Sequence, residues 1–269
     1  MRVPFGVFLV LAAGIGAVAA APAGLAPHRA VYDLSLKDAS ESSGIDGMSG
    51  RMVYEFSGSA CEGYTTKFRF VTQTESGETS RLTDQQTITF EDVRRHVFRF
   101  DTRSYVDQAL DHTTKGEANL ADGEVRVDLD EPDREVFGLG KALFPTEHMI
   151  ELITRAKNGE RFYESRIFDG SDNADEAMLT TTVIGPVKQP DATDREAAVA
   201  GGLAEAAYWP VVISYFNEKA AGDTRPSYLI TFKLYENGVT RDLTMDYGDF
   251  VLQGKLAKLE MLPPKPCTE

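Results

Sequence analysis

Between Val31 and Leu262 the apolar residues recur at every second position, in one short segment after another. A chain written at period two can bury such residues only as strands. Ala30, Tyr32, Leu34 and Leu36 set the pattern, and Met52, Tyr54 and Phe56 repeat it. Phe68 and Phe70, then Ile88 and Phe90, then Phe98 and Phe100, then Val125, Val127 and Leu129 continue it. The breaks between them hold Gly, Asp, Asn and Ser, as in residues 38–50 and Glu75–Glu78. Asp122-Gly123 and Asn237-Gly238 are the strongest hairpin cues. The second of these sets Tyr228, Ile230, Phe232 and Leu234 against Leu243, Met245 and Tyr247. Residues 106–118 are less patterned and fit one further polar strand pair. Glu131-Pro132-Asp133 ends a strand, others resume at 159–168 and 177–187, and residues 209–216 are apolar on both faces, as an inner strand would be. The last strand covers residues 250–262, with a break expected near Gly254.

One segment has a different period. Over residues 144–158 the spacing predicts an amphipathic helix, with Pro145 and Thr146 at its start and Met149, Ile150, Ile153 and Ala156 in its stripe. Arg155 and Lys157 suit its last turn, and Gly159 suits a left-handed stop. The fold class is therefore mostly β: about 10–14 strands and one helix, which must lie against a sheet or plug an open end. Residues 188–204 form the longest weakly patterned connection, with a helical turn expected at 193–200 and ended by Gly201-Gly202. One continuous domain over 24–269 is favoured, and a split near residue 190 is the alternative.

Met1 and Arg2 precede an apolar run, Val3–Val18, and then three alanines, which is the layout of a secretory signal peptide over residues 1–23. A membrane anchor is the competing use of that run. The remainder, residues 24–269, is expected to be soluble. With 28 basic and 42 acidic residues the net charge is −14, which makes nucleic acid and anionic lipid poor partners. Two cysteines, Cys61 and Cys267, most simply make one disulfide in an exported chain, against a pair of free thiols. Three prolines in the tail around Cys267 forbid regular structure there, so the tail resembles a tether. A bond closing about 205 residues has a chain-entropy value on the order of 5 kcal/mol at the upper end.

No motif announces a reaction. The nucleophile elbow, the phosphate loop, the dinucleotide fingerprint and the common zinc patterns are absent. The four histidines, His28, His96, His112 and His148, are far apart in sequence. Asp169–Glu176 is the best metal-like cluster, but its spacing misses the calcium-loop pattern and suits a solvated acidic hairpin loop. No catalytic residue, metal or cofactor is assigned. The 15 Phe, 10 Tyr and one Trp fall at strand spacing, which ordinarily means core. A curved sheet around the helix would alternatively leave an apolar concavity for an acyl chain or peptide. Candidate groove-lining residues are Met149, Ile150 and Ile153 from the helix, with Trp209, Val211 and Ile213 from the inner strand.

Four stretches together carry a resemblance: residues 28–34 (HRAVYDL), Cys61-Glu62-Gly63-Tyr64, Phe144-Pro145-Thr146-x-His148, and the tail from Leu262 to Cys267. The chain resembles the EipB family of cell-envelope integrity proteins from alphaproteobacteria over almost all of its mature length. The resemblance implies a periplasmic protein whose antiparallel strands form an open spiral or half-barrel, with a disulfide matching Cys61 and Cys267. It implies a shape similar to the periplasmic lipoprotein carriers and a role in envelope integrity, with no catalytic residues to carry over. The expected function is non-enzymatic binding of an apolar ligand, such as lipid, or an envelope partner in the concavity of a curved sheet. The alternatives are a fully packed interaction module that binds through a strand edge and, third, an envelope-directed hydrolase.

Overall fold

A computed structural model describes residues 24–171, 174–217, 225–265 and 267. The signal peptide expected over residues 1–23, and Asp172 and Asn173 of the acidic loop, lie outside the described residues. Eight strands come first: β1 (His28–Ala39), β2 (Gly47–Ser59), β3 (Gly63–Ser76), β4 (Thr79–Asp92), β5 (Val97–Val106), β6 (Ala109–Ala121), β7 (Glu124–Glu131) and β8 (Glu135–Gly138). The helix α1 (Pro145–Lys157) follows, within one residue of the expected span. Then come β9 (Phe162–Ile167), β10 (Met178–Ile184), β11 (Trp209–Phe216), β12 (Tyr228–Leu234), β13 (Thr240–Asp246) and β14 (Phe250–Met261).

The fourteen described strands form one antiparallel sheet in the order β8-β7-β6-β5-β4-β3-β2-β1-β14-β13-β12-β11-β10-β9. Every pairing joins neighbours in sequence except the central one, where β1 pairs with β14. β10 and β11, on either side of the connection that holds residue 190, pair side by side. The sheet is not closed into a barrel. Its two edges, β8 and β9, are instead tied by the few residues leading into α1. Leu139 donates to the Val125 carbonyl and Val125 to that of Gly140, while Leu143 donates to Arg166 and accepts from Phe168. The helix thus enters from the seam of a half-barrel.

Local chemistry explains most turns. Asp122 and Gly123 both have positive φ, as a two-residue hairpin turn demands. The β5–β6 turn uses Asp107 and Gln108, again both at positive φ, without a glycine. Asn237-Gly238 belongs to a three-residue loop, in which Gly238 donates to the Tyr235 carbonyl and takes the left-handed position at φ 84°. Gly159, at φ 79°, stops α1.

Three expectations require correction. The strand near Gly254 is unbroken: β14 runs through it, and its pairing with β1 is irregular opposite Val31 and Tyr32 instead. Gly254 leaves room for Leu34 and Leu243, since a Cβ there would lie 3.4 and 3.3 Å from their side chains. Gly201-Gly202 does not end helical structure but begins a second short 3-10 turn, Gly201–Glu205, after the first at Ala197–Val199. In β4 the inward face is the opposite of the one its apolar residues suggest. Ile88 is 55% exposed, and Thr87, Thr89 and Glu91 face inward in its place.

The core falls into two clusters. The larger joins Tyr32, Leu34, Val211, Phe232, Leu234 and Leu252 to Leu152, Ile153 and Ala156 of α1. The smaller joins Phe98 and Phe100 of β5 to Phe144, just before α1, and Phe168, just after β9. Phe98 stacks on Phe144 at 5.2 Å, and Phe100 meets Phe168 edge-on at 5.6 Å. Cys61 and Cys267 are joined by a disulfide with a Cα–Cα separation of 5.6 Å. It holds the proline-rich tail beside the turn between β2 and β3.

Candidate functional site: a two-sided cavity beneath the helix

A helix leaves its first backbone N–H groups without intrahelical partners, and its N-terminus carries partial positive charge. In α1 these groups are met by Glu91 from β4. The Glu91 carboxyl accepts from Thr146 N at 2.7 Å and from Glu147 N at 2.8 Å, one bond to each oxygen. Glu91 is only 2% exposed, and burial pushes its pKa up to about 7. Glu147 turns back to accept from Phe144 N at 3.3 Å and from His96 Nδ1 at 2.5 Å. The strand wall therefore fixes where the helix starts.

So anchored, α1 roofs a cavity of about 440 Å³ on the concave side of the sheet. One wall is apolar and aromatic: Tyr32, Met52, Phe56, Phe68, Ile213 and Phe232, closed above by Met149 and Leu152. The other is polar and uncharged: Thr66 from β3, Gln85, Thr87 and Thr89 from β4, and Thr102 from β5. Thr87 and Thr102 hydrogen-bond to each other at 3.0 Å. His148 lies at the roof, where burial pushes its imidazole down to about 4, and its Nε2 is 3.4 Å from the Tyr163 hydroxyl. His28 sits against the Ala26 carbonyl at 2.7 Å, and burial also lowers its pKa. Asp169 and Ser171, from the described part of the acidic loop, reach the rim, and Ser171 N donates to Asp169 at 2.9 Å.

Of the six groove candidates, Met149 and Ile213 line this cavity. Ile153 and Val211 are buried in the larger core cluster, and Trp209 packs against that cluster while partly buried. Ile150 is 38% exposed and lies outside the cavity lining. The buried face of α1 runs through His148, Leu152 and Ala156, so it is rotated away from Ile150. The polar wall escaped sequence reasoning because inward threonines carry no hydrophobic signal. The alternation of Gln85, Thr87 and Thr89 was the trace it left.

Outside the cavity lining, the connection between β10 and β11 is held by a buried ion cluster. Glu196 accepts from Leu256 N at 2.6 Å, Asp242 N at 3.1 Å and Arg241 Nε at 3.2 Å, while Arg241 also pairs with Asp194. These contacts tie the connection to β13 and β14.

An open antiparallel half-barrel, roofed by one helix over a mixed cavity, defines the structural class as barrel-like. Its relatives place it further. The family model described as EipB-like matches residues 19–263, and the chain belongs to that family. It is 51% identical over 248 residues to the cell envelope integrity protein EipB of Brucella abortus (strain 2308), covering 91% of this chain and 88% of that protein. A crystal structure of a β-barrel-like protein of a domain of unknown function, also from Brucella abortus, superposes with a TM-score of 0.86 at 50% identity. It covers 89% of this chain and 99% of the solved one. The relative's name supports a role in cell-envelope integrity here. Among the described residues no helix is long and apolar enough to cross a membrane.

Proposed function

We propose that this protein acts in the periplasm, as a non-enzymatic envelope-integrity factor that holds an apolar ligand beneath α1. The observation that carries the proposal is the cavity itself: about 440 Å³, with one continuous apolar wall, in a sheet left unclosed. Ligand sites are commonly concave and mostly apolar, with a few placed polar groups. The export-like start over residues 1–23 and the Cys61–Cys267 disulfide support an oxidising compartment, in which the proposed removal of residues 1–23 would leave a soluble chain. The name of the Brucella abortus relative speaks of integrity and of no reaction, which supports a non-enzymatic role.

Native mass spectrometry of protein purified from periplasm without detergent, followed by lipid extraction, tests the proposal. One co-purifying amphiphile per chain supports it. Protein that is empty and also fails to bind a hydrophobic dye counts against it.

A second role has its own observation. Phe162 on edge strand β9 and Val183 on β10 are paired in register on the outer face, 58% and 48% exposed. That pair favours docking of an envelope protein along the β9 edge.

A further inference from the structure

Resting on the ligand-holding role proposed above, we propose that the cavity takes a single-chain amphiphile whose polar part is uncharged. One acyl or alkyl chain carrying hydroxyl, ester or amide groups fits. A fatty-acid anion or a two-chain phospholipid does not.

Volume sets the chain number. A methylene fills about the space of a water, ~30 Å³, so the cavity holds on the order of fifteen such groups. That is one chain of ordinary membrane length. A second chain would have to lie outside this volume or move α1, and α1 is fixed at its start by Glu91 and by Phe144 stacked on Phe98.

The walls set the polarity. An entirely apolar ligand would leave Thr87, Thr89 and Gln85 facing hydrocarbon, and burying hydroxyls and amides without partners is costly. The Thr87–Thr102 pair uses one hydroxyl proton between its two oxygens, so a second proton and further lone pairs remain for a ligand oxygen. Gln85, Thr87, Asp169 and Ser171 are half-buried, which puts solvent on this side. The ligand's polar end lies along β4 and its chain against Met52, Phe68 and Phe232.

Charge sets the exclusion. No lysine or arginine is among the described residues lining the cavity. His148 and His28 are buried and neutral at neutral pH. The remaining ionisable groups on the lining are the Asp169 carboxyl and the phenols of tyrosines such as Tyr32. A carboxylate or phosphate on that half-buried side would face the Asp169 carboxyl with no counter-charge, and drawn further inside it would also lose its water.

The test uses residues 24–269 freed of bound lipid, a hydrophobic dye as reporter, and three competitors: monolauroylglycerol, laurate at pH about 8, and dilauroyl phosphatidylcholine vesicles. Monolauroylglycerol is expected to displace the dye at one molecule per chain, about tenfold more tightly than laurate. The vesicles are expected to displace none. Thr87→Val with Thr102→Val is expected to bring the two single-chain ligands within about threefold of each other, each compared with the variant's own dye affinity. Should that double variant not fold, Thr89→Val alone serves the same comparison. Laurate binding as tightly as the glyceride overturns the uncharged-head assignment but leaves the ligand-holding role standing. Stoichiometric transfer of phosphatidylcholine overturns the single-chain assignment in the same way. No binding of dye or of any competitor overturns both.

Discussion

Glu91 on β4 and Thr146 on α1 are joined by a buried hydrogen bond of 2.7 Å from the Thr146 backbone N–H to the Glu91 carboxyl. With its companion at Glu147 it couples the polar wall of the cavity to the roof, so the state of one carboxyl bears on the whole site.

Stability is expected to carry the mark of that carboxyl. Glu91 titrates at about 7 in the folded chain, above its ordinary value of 4.5, because burial disfavours the charged form. A raised acid binds its proton more tightly when folded. Its relative stabilisation is thus full below pH about 4.5 and is lost as pH rises through about 7. The span corresponds to on the order of 3 kcal/mol. Glu91→Gln keeps one acceptor oxygen and loses the other, so it should cost about 1–2 kcal/mol at low pH. It should also flatten the slope between pH about 5 and 8. Thermal melts of both proteins across that range check this, and identical slopes would remove Glu91 as the source.

Replacing Cys61 or Cys267 by serine should lower stability by about 2–5 kcal/mol, because the bond spans a sequence separation of 206. Reduction of the native protein should do the same. Peptide mapping confirms the link, and an unchanged melting temperature on reduction would show that the bond is energetically idle.

Arg241 is fully buried between Asp194 and Glu196. Arg241→Ala leaves the buried Glu196 carboxylate without its cation and Asp194 with Lys233 alone, and should cost about 3–5 kcal/mol in denaturant unfolding. Arg51→Ala removes an exposed pair with Asp33 and should cost under about 1 kcal/mol. Equal losses would show that burial is not what distinguishes the two sites.

Phe144→Ala removes the stacked ring on Phe98 that seats the start of α1. A loss of about 3–5 kcal/mol is expected from the cavity it leaves. Faster hydrogen exchange at the first turn of α1 should accompany it, and exchange unchanged in that turn would separate Phe144 from the helix anchor.

Strands with an apolar inward face, and turns that need glycine, were legible in the sequence. Asp122-Gly123 announced its hairpin because both residues take positive φ, while Asp107 and Gln108 do the same work without a glycine and left residues 106–118 obscure. The helix was legible because its period breaks a long run of alternation. Its rotation was not, since Met149, Ile150 and Ile153 define a stripe only loosely and the polar His148 sits on the buried face. The apolar pattern of β4 points the wrong way: Ile88 is apolar but lies outside among charged neighbours, while threonines face a cavity that has a polar wall. The β1–β14 pairing joins the two ends of the described chain, and no local pattern encodes it. The site is therefore the least legible part, because half of it breaks the rule that interiors are apolar.

The most direct measurement is a dye titration of the native protein beside Ile230→Trp, which fills the cavity from β12. Leu243→Phe serves as a second filler if the first does not fold. Saturable binding of one dye per native chain, lost in the filled variant at a similar melting temperature, is the result expected. Binding unchanged by the filling, or no saturable binding in the native protein, would contradict a ligand site beneath α1.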